Sequence, residues 1–149
     1  RRFAKAKRLE PGEPIWELLS YIGQDLLDYL RDLRGNIDFV AQHAQLWAID
    51  DHEALFLPRT DPLPDDPSAG IGRYLDGIGK AKTVAALIYP DRRGSGYGLS
   101  RQNDDPRYDF TRIQDEADGH FAHARGFVAK TSASDPTRIR ALLDLARVP

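Results

Sequence analysis

Between residues 119 and 131 the chain reads Gly-His-Phe-Ala-His-Ala-Arg-Gly-Phe-Val-Ala-Lys-Thr. His120, His123, Arg125 and Lys130 are donors of different reach, with Gly126 among them. Arginine offers a planar fork matched to phosphate oxygens, lysine a point charge, and histidine a contact that depends on pH. Small and apolar residues carry these groups, so the segment reads as packed backbone running into the helix that opens at Asp135-Pro136. A strand-to-helix junction of that kind favours an anion through free N–H groups and the helix dipole. Arg101, on an alternating segment upstream, joins the set if the two strands are neighbours. The expected ligand site is therefore His120, His123, Arg125, Gly126, Lys130 and Arg101, facing a phosphate. A last strand with polar residues on its solvent face explains the same composition.

Other chemistry-bearing stretches are weaker. Asp50-Asp51-His52-Glu53 places oxygen and imidazole donors side by side, but neighbouring strand residues point to opposite faces, so a hairpin turn fits better than a metal site. Gly94, Gly96 and Gly98 are followed by another strand pattern, whereas a dinucleotide loop needs a helix there. His43 sits among apolar residues and reads as structural. Tyr97, Tyr108, Phe110, Phe121 and Phe127 have the types that stack bases and the types that fill a core. No nucleophile elbow and no glycosidase-like carboxylate pair is present, and the absence of cysteine excludes disulfides, thiolate ligands and a thiol nucleophile.

The elements that must position these groups follow from periodicity. Residues 1–14 carry five basic residues and then Pro11, Gly12 and Pro14, a connector. Apolar residues from Ile15 to Leu33 recur at three- and four-residue steps, an amphipathic helix closed by Gly35-Asn36. A second helix or helix-to-strand segment follows over 37–49, then a short buried strand over 54–57. Residues 58–68 hold four prolines and read as a rigid link, and Ser68 is placed to cap a glycine-weakened helix over 69–80. Strands are expected over 83–89, 97–101 and 108–112, with an acidic loop at 114–119, one strand through the donor-rich stretch, and the last helix. The fold class is α+β: N-terminal helices, a small mixed β-sheet and a C-terminal helix, with residues 15–149 as one substrate-binding domain.

With 149 residues, 41% of them hydrophobic, the chain can bury a core, and a formal charge of −2 points to no global polyanion surface. No apolar run approaches the roughly 20 residues a spanning helix needs. A cytoplasmic setting is expected. The chain starts Arg-Arg with no methionine anywhere, which suggests a piece of a larger two-domain protein.

The order of an apolar strand ending Ile88-Tyr89-Pro90-Asp91, a glycine turn, a second strand, an acidic loop, then His120-Phe-Ala-His123-Ala-Arg-Gly126-Phe-Val and a capped helix resembles the C-terminal region of DHH-type phosphoesterases. It is most similar to the melanocyte-proliferating-gene family of exonuclease-like proteins. The resemblance implies a hydrolase acting on phosphodiesters, nucleotides or short oligonucleotides. A preceding domain would supply the Asp-His-His motif and a divalent metal, manganese or magnesium, and this region would grip the phosphate without catalytic or metal-binding residues of its own. His123, Arg125 and Gly126 fall on the family's substrate-binding turn. Only Gly119 stands where the more widespread form carries a glycine run, and Arg125 stands where a small residue is common. The alternative functions are a protein-interaction or homodimerisation module, or a single-stranded nucleic-acid binder.

Overall fold

The computed structural model describes residues 10–149. The N-terminal basic run lies outside the described residues. The chain divides into two compact units, Arg1–Gly35 and Asn36–Pro149. In the first, α1 starts at Pro14, whose missing N–H costs nothing at a first helical turn. Its apolar residues, among them Ile15, Leu18, Leu19, Ile22, Leu26, Leu27 and Leu30, are exposed.

The helix does not stop at Gly35-Asn36; α1 spans Pro14–His43. A glycine in a helix costs only about 1 kcal/mol relative to alanine, and packing within the second unit outweighs that. Val40 there is fully buried with Leu55, Leu57, Ile71, Leu75 and Val84. The approach is close: a Cβ on Gly70 would lie 2.3 Å from the Asn36 carbonyl oxygen, so only glycine fits beneath this part of the helix.

The second unit is built on a six-stranded mixed sheet of order β1-β2-β3-β4-β6-β5. Strands β1 (Gln45–Ile49) and β2 (His52–Phe56) form an antiparallel hairpin, and Asp50 takes a positive φ of 46° in its turn. A crossover through α2 (Ile71–Gly77) makes β3 (Val84–Pro90) parallel to β2. Strands β4 (Tyr97–Arg101), β5 (Gly119–Ala122) and β6 (Val128–Thr131) complete the sheet with antiparallel pairings. The helix expected over 69–80 is only seven residues long, and the Ser68 hydroxyl bonds Asp66 while its carbonyl accepts from Ile71 N–H.

One sheet face packs against α3 (Pro136–Ala146), which contributes Ile139, Leu142, Leu143 and Ala146, all fully buried, to a core with Phe56, Ile88, Leu99 and Ala129. Residues 108–112 are not a strand. Phe110–Ile113 is a 3-10 turn whose N-terminus is capped by the Asp109 carboxylate accepting from Thr111 N–H, with Phe110 and Ile113 driven into the same core. The opposite face is covered by the end of α1 and by α2 over β1, β2 and β3.

Candidate functional site

The donor-rich stretch is a hairpin, not one strand. Strands β5 and β6 pair antiparallel, and the 123–127 turn closes them through Gly126 N–H to His123 O at 2.7 Å. Gly126 holds φ 72°, and a Cβ there would sit 2.1 Å from Asp109 Oδ1. The turn is tied to the core by Phe110 N–H donating to Gly126 O. His123 packs on Phe127 with tilted rings whose centroids are 4.1 Å apart, and its Nδ1 accepts from Arg125 N–H at 3.2 Å. Arg125 is exposed at the tip. His120 is the extra residue of a bulge between Gly119 and Phe121. It lies near Asp118, whose carboxyl is held below the ordinary carboxylate range first by its hydrogen bond from Arg138 and also by His120.

Arg101 does not join them. Alternation puts it on the Leu99 side of β4, and its guanidinium donates to the carbonyls of Tyr108 and Arg125 and pairs with Asp104. It braces the hairpin turn from the core side instead of facing a ligand. The helix is also not an anion site. The N-terminus of α3 is occupied by its own cap, Asp135, whose carboxylate accepts from Thr137 N–H, and the helix packs on the Leu99 face.

Lys130 is different. It lies opposite Gly98 on β4 and opposite Phe121 on β5, and Gly98 in turn lies opposite Tyr89 on β3. Tyr89, Gly98, Lys130 and Phe121 therefore form one row across four adjacent strands, on the face that α3 does not cover. Phe121 is 49% exposed, and the Lys130 side chain 40%. Gly98 is the floor of this row: a Cβ would come within 2.7 Å of the Tyr89 ring, so the missing side chain is what lets the tyrosine lie down on the sheet. Burial pushes the Tyr89 hydroxyl above its ordinary pKa, and a hydrogen bond with Ser100 partly offsets that.

Beside the row is a shallow cleft of about 230 Å³ bounded by Asp66, Ser68, Tyr89, Asp91, Arg92 and Lys130. Lys130 Nζ lies 3.4 Å from Asp91 Oδ1. Burial opposes ionisation of Asp91, yet the Arg93 amide and the Lys130 ammonium together hold its carboxyl below the ordinary range. The cleft thus contains an ammonium, a guanidinium, a hydroxyl and a phenol beside two carboxylates, Asp66 and Asp91.

Its rim is fixed by Arg59, which sequence reasoning placed in a linker. Arg59 donates to the carbonyls of Asp91, Gly94 and Gly96 at 2.8, 2.9 and 2.8 Å, and its guanidinium lies 5.9 Å above the Tyr97 ring. One cation so satisfies three acceptors of the 91–96 turn. The only signal in the sequence is an isolated arginine directly after a strand-ending proline. Gly96 completes the turn, since a Cβ would lie 1.8 Å from the Thr131 carbonyl oxygen.

The Asp51-His52 pair sits in the β1–β2 hairpin turn, as expected. His52 is buried nonetheless. Its Nδ1 is 2.9 Å from Asp51 Oδ1 and its Nε2 is 2.6 Å from the Tyr108 hydroxyl. Among the described residues no group of three or more histidine and carboxylate side chains is arranged to hold a metal ion. Among them also, no helix is long and apolar enough to cross a membrane. No family model, no curated protein and no solved structure matches the chain.

Proposed function

We propose that residues 36–149 are the substrate-binding portion of a DHH-type phosphoesterase, and that the open sheet face grips a phosphate-bearing small molecule or short oligonucleotide. One observation carries this reading: the row Tyr89–Gly98–Lys130–Phe121, which sets a cation between two aromatic residues over a floor without a side chain. The phosphate meets the Lys130 ammonium and the Arg92 guanidinium. The exposed Phe121 ring offers flat surface for a base. Water activation, and the manganese or magnesium it uses, belongs to a preceding catalytic domain in a cytoplasmic two-domain protein; no step of it runs through these residues. The resemblance of His120-Phe-Ala-His123-Ala-Arg-Gly126-Phe-Val to that family's turn supports the assignment.

The test is calorimetric titration of the chain with inorganic phosphate, adenosine monophosphate and a 5′-phosphorylated dinucleotide. A hydrogen bond to a charged group contributes roughly 1.5–3 kcal/mol, so Lys130→Ala should weaken nucleotide binding about ten- to hundredfold. No detectable binding of either nucleotide, or equal affinity in the Lys130→Ala protein, refutes the reading. Affinity that grows with oligonucleotide length and falls steeply with salt replaces it with a single-stranded nucleic-acid binder.

A further inference from the structure

We infer that the Pro14–Gly35 part of α1 pairs antiparallel with the same segment of a second copy of this chain. The inference is independent of the phosphate site. Ile15, Leu19, Ile22, Leu26, Leu30 and Leu33 follow one another at steps of four and three residues, the spacing of a two-helix seam. Trp16, Leu18, Leu27 and Tyr29 flank that seam. Leu18 and Leu26 are 60% and 56% exposed, and the other seam residues up to Leu30 are comparably open. The polar residues Glu17, Gln24, Asp28 and Arg31 lie on the other side of the helix at the same periodicity. A helix with this stripe gains most of its stability from covering it.

The occupant follows from symmetry and charge. The apolar positions are mirror-related about the Ile22–Gly23 bond: Ile15 with Leu30, Leu18 with Leu27, and Leu19 with Leu26. Two copies related by a two-fold axis through that bond place leucine or isoleucine against leucine at each of these heights. This is the self-complementarity an isologous interface requires. Gly23 falls at the crossing, with nothing within 4 Å of where its Cβ would be, and a residue that weakens an isolated helix there brings two backbones close. The charges select the antiparallel sense. Glu10, Glu13 and Glu17 gather at the N-terminal end, whereas at the C-terminal end Arg31 and Arg34 are balanced by Asp28 and Asp32. Antiparallel packing sets the acidic end of one copy beside the charge-balanced end of the other and opposes their helix dipoles favourably; parallel packing sets acid on acid.

The chain has no cysteine, which makes the geometry directly testable. Leu19→Cys and Leu26→Cys chains are mixed, oxidised and separated without reductant, and the untagged parent is sedimented at micromolar to millimolar concentration. The expected result is a dimer in sedimentation and a mixed disulfide, joining the Leu19→Cys chain to the Leu26→Cys chain, that outweighs either like-with-like product. Like-with-like cross-links in excess mean a parallel pair and overturn the inference, as does a monomer at every concentration. The Leu19→Asp, Leu26→Asp double variant should raise the dimer dissociation constant by at least ~100-fold while the Asn36–Pro149 unit melts as in the parent. A variant that remains dimeric overturns it too.

Discussion

Replacing Tyr108 by phenylalanine tests how His52 is held. Both residues are buried, Tyr108 completely, and Tyr108 stacks on Phe110 within the α3 core. The Asp51 carboxylate accepts from the Nδ1–H of His52, which leaves Nε2 of the neutral ring as an acceptor for the Tyr108 hydroxyl. Asp51 is held below the ordinary carboxylate range chiefly by this same imidazole. Phenylalanine keeps the ring in the core and leaves Nε2 buried without a partner. An unsatisfied buried acceptor costs about 1–3 kcal/mol, so Tyr108→Phe should lose that much stability at pH 7.

The pH dependence makes the test sharper. Burial raises the Tyr108 hydroxyl from 10.0 to about 12. The raised value belongs to the folded state, so the contribution is complete below pH 10 and disappears as pH rises through 12. A shift of that size corresponds to a loss of a few kcal/mol by the parent across that window. The phenylalanine protein has no such proton to lose. Tyr89, also raised by burial, titrates in both proteins and cancels. Urea denaturation followed by the fluorescence of Trp47, which stacks on Phe56, should show the parent's advantage shrinking from pH 9 to pH 12 and then reversing. Two parallel stability curves, or a difference below about 0.5 kcal/mol at pH 7, would refute the buried hydrogen bond.

Gly126→Ala should cost about 2–4 kcal/mol, from a left-handed backbone and the 2.1 Å clash with the Asp109 carboxylate that caps the 3-10 turn; a thermal midpoint within a degree of the parent would show that the turn has slack. Asp118 is held below its ordinary value first by Arg138, so its contribution is present above pH 4 and lost as pH falls through the lower folded value. In acid titrations Asp118→Asn should therefore flatten the parent's loss of stability below pH 4, and an unchanged slope assigns the acid limb to other carboxylates.

Period and punctuation carry most of the fold. The apolar run at 83–89 and the alternation at 97–101 became β3 and β4 within a residue, and Asp135-Pro136 opens α3 because a carboxylate cap followed by proline is a local signal. What failed was decided at a distance. Gly35 looks like a helix stop until the helix end is seen seated on Gly70, and residues 108–112 alternate like a strand until Asp109 caps a turn. The hairpin in the donor-rich stretch was hidden for a related reason. Its turn uses Gly126 at positive φ after Arg125, without the Asn-Gly or Asp-Gly pair that marks a two-residue hairpin.

That hidden hairpin decides how a ligand would be held. As a single strand, residues 119–131 would display their donors along one edge and deliver the ligand to a helix N-terminus. As a hairpin, they present Lys130 in mid-sheet and leave Arg125 at the tip, while Asp135 fills the helix cap. The phosphate of the proposed ligand must then compete with Asp91 for Lys130, a partner already 3.4 Å away. An ion pair with a side chain 40% exposed contributes about 0–1 kcal/mol, so giving up Asp91 costs the ligand little. Stacking on the exposed Phe121 adds about 1–3 kcal/mol per base to the contact with Lys130. A site built in this way should prefer a nucleotide to inorganic phosphate by about ten- to hundredfold, a selectivity that a purely electrostatic cluster of arginines and histidines would lack.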